Sequence, residues 1–287
     1  MVGLGHEVRC LVRRTSDLQP IARLPVEVWA GDVTDPRSLA GGLDGVDAVV
    51  HLVGIIREQR PSVTFQRVHV EGTANLLAGS GAAGAGRFLF MSAIGADAAA
   101  RYPYLATKGR AEQLVKAGGI PWTIIRSSIV YGAGDEFMSQ LAALVRRPPV
   151  GDRLLAPFVP IIGSGETRFQ LIHVDDVARC VALAATEPQF AGEVITVGGP
   201  EEFTYEQLVD LVMGATGIRR PKLHLPVALM RPAVKLLPLI YRKPPITSGQ
   251  LDMIGLDSVC DLDSVERRFG FAPARLRDRL GYLKDLP

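Results

Sequence analysis

The feature that most constrains this chain is the alternation, over its first two-thirds, of short β-rich runs with helical patterns. Runs at Glu7–Val12, Val26–Ala30, Ala48–Val53, Arg87–Met91 and Trp122–Ile125 are separated by helix-like segments at Pro36–Gly41, Phe65–Ala78 and Lys108–Ala117. A helix from about Asp175 to Thr186 leads into a further run, Val194–Val197. Strands joined through helices lie parallel, because each crossover returns the chain to the same end of the sheet, and the helices then cover both faces. In such doubly wound sheets ligands sit beyond the carboxyl ends of the strands, so the loops after each run are where binding chemistry belongs.

The chain has 287 residues, 47% of them hydrophobic, which is ample for a large core. From Gly132 the pattern is less regular. Pro148–Phe169 is rich in proline and glycine, and Arg146-Arg147-Pro148-Pro149 reads as an exposed corner. After Gly198-Gly199-Pro200 a helix starts near Thr204, which can cap it with Gln207 as the capping-box partner, and the tail to Pro287 reads as helix and loop. The expected division is a nucleotide-binding domain over residues 1–131 and 169–199, with a smaller C-terminal lobe over 132–168 and 200–287.

Net charge is only +2, too weak a basic field to argue for nucleic acid. Cys10, Cys180 and Cys260 show no paired spacing, and His51, His69, His173 and His224 show none of metal-ligand type, so no metal is expected. These histidines read as ordinary polar or core positions. No basic opening segment precedes a long apolar run, and no uncharged apolar stretch reaches ~18 residues, so a cytoplasmic protein without a membrane span is expected. Leu223–Tyr241 pairs apolar residues with Arg231 and Lys235. It reads as a face over the C-terminal lobe, with peripheral contact to the inner membrane face or to a protein partner left open.

A dinucleotide fold opens with a strand, a glycine-rich turn and a helix whose N-terminus faces the pyrophosphate. Here Met1–His6 reads as the end of that helix, with Gly3 or Gly5 as its cap and Glu7–Val12 as the second strand. The expectation is a Rossmann-type sheet whose first strand is absent, by roughly 20 residues of a ~30-residue unit. The strands at Glu7–Val12 and Ala48–Val53 would then leave an open seam or close on each other. Weak NADP binding and marginal stability would follow.

The strand-end loops carry the candidate binding residues. Arg13 and Arg14 follow the run at Glu7–Val12; an acid there suits the ribose hydroxyls of NAD, whereas arginine suits the extra phosphate of NADP. Two solvated arginines are the plain alternative. Asp32 and Val33 follow the next run, Asp32 either accepting from an adenine amino group or capping a turn. Leu52, Val53 and Gly54 follow the run at Ala48–Val53. Tyr104 and Lys108 are spaced i, i+4 and so share a helix face. A lysine there lowers the tyrosine pKa and can bond a nicotinamide ribose, making the phenol a usable acid or base. Ser92 ends the strand before that helix.

Several ordered motifs then agree. Gly5-His6-Glu7-Val8-Arg9, Gly31-Asp32-Val33, Val70-Glu71-Gly72-Thr73-Ala74-Asn75-Leu76, the Tyr104/Lys108 pair and Arg126-Ser127-Ser128-Ile129-Val130-Tyr131-Gly132 resemble the extended and atypical short-chain dehydrogenases/reductases. His173-Val174-Asp175-Asp176-Val177-Ala178, Gly198-Gly199-Pro200-Glu201, Phe203-Thr204-Tyr205 and Pro244-Pro245-Ile246-Thr247 are similar to bacterial relatives of the nucleotide-binding accessory subunit of respiratory complex I. The resemblance implies a nicotinamide nucleotide cofactor, NADP with NAD left open, contacted by Arg13, Arg14, Asp32, Val33, Leu52, Val53, Gly54, Lys108 and Ser128. It departs at three places. The glycine loop is absent, the family's arginine-proline pair is Arg126-Ser127, and the hydroxyl that polarises a substrate carbonyl is replaced by Ala93 if Ser92 aligns with the first of the family's two serines. Loss of such a donor costs ~10²–10³ in rate. A shift of one residue in that alignment keeps Ser92 as the substitute. Two functions follow as expectations. In one, a bound nucleotide is mainly structural or sensory. In the other, an oxidoreductase or epimerase acts on a sugar-nucleotide or quinone-like carbonyl through Tyr104, Lys108 and Ser92.

Overall fold

The computed structural model describes residues 1–146, 157–240 and 248–284. The corner at Arg147-Pro148-Pro149 and the Pro244–Thr247 motif lie outside them. Two compact units form: Met1–Ile125 with Val181–Ile195, and Arg126–Cys180 with Thr196–Pro287.

In the first unit, β1 (Arg9–Val12) pairs in parallel with β2 (Glu27–Ala30). Next come β3 (Ala48–His51), α1 (Gly72–Ala82), β4 (Arg87–Ala93), α2 (Pro103–Ala117) and β5 (Trp122–Ser127). These strands join β10 (Glu193–Val197) in a four-stranded sheet of order β10-β5-β4-β3. The pairing of β3 with β4 is parallel. The two sheets are not hydrogen-bonded to each other, so β1 and β3 each keep an edge without a strand partner among the described residues.

Phe88, Leu89 and Phe90 of β4 are fully buried, each contributing about 1.5–3 kcal/mol through lost apolar surface. Phe88 and Phe90, with Val49, Leu76, Leu77, Ala111, Val115 and Ile124, fill the space between strands and helices. Asp35 caps the 3₁₀ turn Pro36–Leu39 through the amide of Arg37, as the Asp-Pro sequence predicts. Residues 2–4 form a 3₁₀ turn closed by Gly5 at φ 82°, where a side chain would be strained. Several boundaries differ from the sequence expectation, two of them at helix starts. The helix expected at Lys108 starts at Pro103, whose fixed φ suits the first helical turn. The helix expected over Phe65–Ala78 opens as a π-helical turn, Gln66–Glu71, before continuing as α1.

The second unit holds β6 (Val130–Tyr131), α3 (Phe137–Arg146), β7 (Val159–Ile162), β8 (Arg168–Phe169), β9 (Ile172–His173) and the start of α4 (Val174–Thr186). After these come β11 (Phe203–Thr204), α5 (Tyr205–Thr216), β12 (Lys222–Leu225), α6 (Val227–Ile240), α7 (Ser248–Met253) and α8 (Ser264–Phe269). The Thr204/Gln207 capping box is formed. The tail is not helix and loop alone, because Lys222–Leu225 alternates in character and pairs in parallel with β7. Tyr131, Met138, Leu141, Ile161, Leu171 and Leu208 are at the centre of this unit's core. No described helix is long and apolar enough to cross a membrane.

Candidate functional site

The site builds from α2 in the first unit. Pro103 starts the helix, which places Tyr104 in its first turn and Lys108 one turn later. Gly109 explains how the helix sits so close to the chain before it. A Cβ there would lie 2.2 Å from the backbone of Asp97 and Ala98, so only glycine lets that segment cross.

Lys108 is buried, and its Nζ donates to the carbonyl of Met91 at 2.9 Å and lies 4.9 Å from the Phe90 ring centre. Burial pulls its pKa down to about 8, with the carboxylate of Glu112 acting in the opposite direction. Tyr104 is half-buried, and burial pushes its phenol up to about 12. This is the opposite of the lowering by a neighbouring lysine expected from the sequence: burial outweighs Lys108, and the phenol stays protonated at neutral pH as a weaker acid. Its ring meets those of His69 and Phe65 edge-on, at 5.5 and 5.8 Å between centres.

Gly54, after β3, comes up to this pair: a Cβ on it would stand 3.2 Å from Lys108 Nζ and 3.6 Å from His69 Nε2. The adjoining Leu52 and Val53 are exposed. The structure therefore brings Tyr104, Lys108 and Gly54 together. Ser92 lies at the end of β4, buried, and its hydroxyl donates to Glu112 Oε1 at 2.6 Å. Neither Glu112 nor His69 stands out in the sequence as functional. Glu112 had one signal, its i, i+4 spacing from Lys108; His69 had none.

The remaining candidates are placed separately. Arg13 and Arg14 are exposed in the turn after β1, where Arg13 N donates to Ser16 Oγ. Asp32 Oδ1 accepts from both the amide and the hydroxyl of Thr34 at 2.8 Å, the turn-capping alternative. Val33 is a core residue whose carbonyl accepts from Asn75 Nδ2. Ser128 belongs to the second unit, where its amide donates to the Val197 carbonyl and its buried Oγ has no partner among the described residues.

These residues suit a nicotinamide nucleotide at two points. Two protons of Lys108 Nζ have no partner among the described residues, and the space beside it is one that a Cβ at Gly54 would fill. At the end of β1, Arg13 and Arg14 are exposed to solvent. Among the described residues of the first unit no glycine-rich turn joins a strand to a helix as a pyrophosphate cradle.

A parallel α/β sheet with a tyrosine and a lysine one helical turn apart at its strand ends defines a nucleotide-binding protein of the short-chain dehydrogenase/reductase type. The chain belongs to the NAD dependent epimerase/dehydratase family, whose model matches residues 1–198. It is 34% identical over 184 residues to the ceramide reductase of Caulobacter vibrioides, covering 63% of this chain and 54% of that protein. It is 21% identical to the 40 kDa subunit of NADH-ubiquinone oxidoreductase from Neurospora crassa mitochondria, covering 85% of this chain and 62% of the subunit. The chain thus spans just over half the length of the first and under two-thirds of the second. The crystal structure of gox2253 superposes with a TM-score of 0.76 at 26% identity, covering 99% of this chain and 91% of that one.

Proposed function

We propose that the chain binds NADP(H) as an atypical family member, with the nucleotide in a mainly structural or sensory role and hydride transfer slow. The observation that carries this reading is the Ser92–Glu112 hydrogen bond. The hydroxyl proton of Ser92 is committed to a buried carboxylate, and Ala93 beside it has none to offer. A substrate carbonyl near Tyr104 would therefore lack its second donor. When bound, the nicotinamide supplies hydride chemistry. Lys108 would hold the ribose, Arg13 and Arg14 the ribose phosphate, and Tyr104 a proton at its phenol oxygen. The likeness to a subunit of NADH-ubiquinone oxidoreductase supports a role within a larger assembly.

The Tyr104–Lys108 pair favours a second reading, a reductase or epimerase in which Tyr104 protonates the developing alkoxide. A structural site has no need of that pair, and the likeness to a ceramide reductase supports this reading. Steady-state oxidation of NADPH with carbonyl substrates separates the two. On the first reading turnover is slow, and Ala93→Ser raises it more than Tyr104→Phe lowers it. Brisk wild-type turnover abolished by Tyr104→Phe makes the second reading correct.

A further inference from the structure

We propose that His69 is a positioning residue for the Tyr104–Lys108 pair, its imidazole tying the Gly54–Ile55 loop to α2 and setting the plane of the Tyr104 ring. The proposal rests on the reading of that pair as the working end of the nucleotide site.

His69 is fully buried in the π-helical turn Gln66–Glu71, a wide turn with poorer packing along its axis that recurs at functional sites. Its two ring nitrogens bond to two other segments of the chain. Nε2 accepts from the amide of Ile55 at 3.0 Å. Nδ1 lies 3.0 Å from Thr107 Oγ1, whose own proton goes to the carbonyls of Pro103 and Tyr104. Thr107 is therefore the acceptor and Nδ1 the donor. Only the neutral Nδ1–H tautomer satisfies both bonds.

The ring is also held on its faces, with Phe65 stacked at 5.4 Å and Tyr104 edge-on at 5.5 Å. Its backbone carbonyl accepts from Thr73 Oγ1, so His51 Nε2 must donate to that hydroxyl. His69 is thus fixed at both ends. Burial and the adjacent Lys108 charge keep its pKa down at about 3, so the acceptor lone pair on Nε2 persists at any physiological pH.

A phenylalanine would fill this core position without the cost of burying a polar ring. What imidazole adds is an acceptor for a loop amide beside Lys108 and a donor to the residue between Tyr104 and Lys108. The loop it holds is the one whose Gly54 faces the ammonium. The loop and the helix that carry the pair are joined through one side chain.

The test combines spectroscopy with nucleotide titration on the full chain. Side-chain ¹⁵N spectra should show His69 neutral and Nδ1-protonated from about pH 5 to 8. His69→Phe keeps a ring and removes both hydrogen bonds. By releasing the Gly54–Ile55 loop that Nε2 now holds, it should let water reach Tyr104, drop the phenol pKa from about 12 towards its ordinary value near 10 and weaken NADPH binding about tenfold, one lost hydrogen bond's worth. His69→Gln, with one donor and one acceptor, should recover most of both. If His69→Phe does not fold, Thr107→Val removes the Nδ1 partner while leaving the Nε2 bond to Ile55 in place, and should move the phenol titration in the same direction. Protonation of His69 within that range, or an unshifted Tyr104 titration in the folded variant, overturns the proposal, even if the melting temperature falls. Nucleotide affinity unchanged in Tyr104→Phe and Lys108→Met would instead sink the nucleotide-site reading, while the phenol titration still judges His69.

Discussion

Replacing Lys108 with methionine should stabilise the protein near neutral pH while weakening its hold on nucleotide. Lys108 is 5% exposed, so solvent screens it little. Its pKa falls from 10.5 to about 8 on folding, which corresponds to about 3 kcal/mol of penalty on the charged form. Methionine keeps an unbranched apolar stem and removes the charge. It also leaves the Met91 carbonyl without its donor, an offset of about 1 kcal/mol. The net gain at pH 7 is about 2 kcal/mol. The sign follows from proton counting. Between about pH 8 and 10.5 the unfolded lysine holds a proton that the folded one has released, so the contribution of Lys108 to stability rises with pH through that window. Below it the penalty is complete. Urea denaturation of both proteins at about pH 7 and 10.5 reads the difference, in which tyrosines and cysteines cancel. The variant should lead by about 2 kcal/mol at the lower pH, and the lead should vanish or reverse at the higher. A variant less stable at pH 7, or a difference independent of pH, refutes the reasoning.

Two further outcomes follow from the same geometry. Arg13→Ala with Arg14→Ala removes one or two charge-assisted bonds of about 1.5–3 kcal/mol each; calorimetric titration should show NADP(H) affinity falling while NAD(H) affinity holds, and equal wild-type affinities for the two would end the argument. Ser92→Ala leaves the buried Glu112 carboxylate without a donor that now stands at 2.6 Å, and chemical denaturation should show a loss of about 1–3 kcal/mol.

The sequence made the parallel architecture legible because the strands alternate with helices, and the local terminators are residues with one strong conformational use. Asp35-Pro36 caps a turn and Thr204 with Gln207 closes a capping box. The Tyr104–Lys108 pair was legible for a related reason, since i, i+4 spacing on a helix fixes a shared face without knowledge of the fold. What links the pair to its surroundings was not. His69 bonds to Ile55, 14 residues away, and to Thr107, 38 residues away, and only the folded chain brings those segments together. The π-helical turn that carries it has no composition signal distinct from an ordinary helix. Asp32 could be read as a ligand or as a turn cap, and the choice depended on where the Thr34 amide and hydroxyl point. Lys222–Leu225 gives little strand signal of its own, because a four-residue strand finds its partner only in β7, far back in the chain.

The central claim is that nicotinamide nucleotide binds in the first unit beside Tyr104 and Lys108. Amide chemical-shift mapping with NADPH tests it most directly, because it reads location even where affinity is modest. The account predicts shifts at Arg13–Ser16 and Leu52–Ile55 and in the first turn of α2, all weakened in Lys108→Met. Shifts that spare those segments, or that persist unchanged without the Lys108 ammonium, would contradict it.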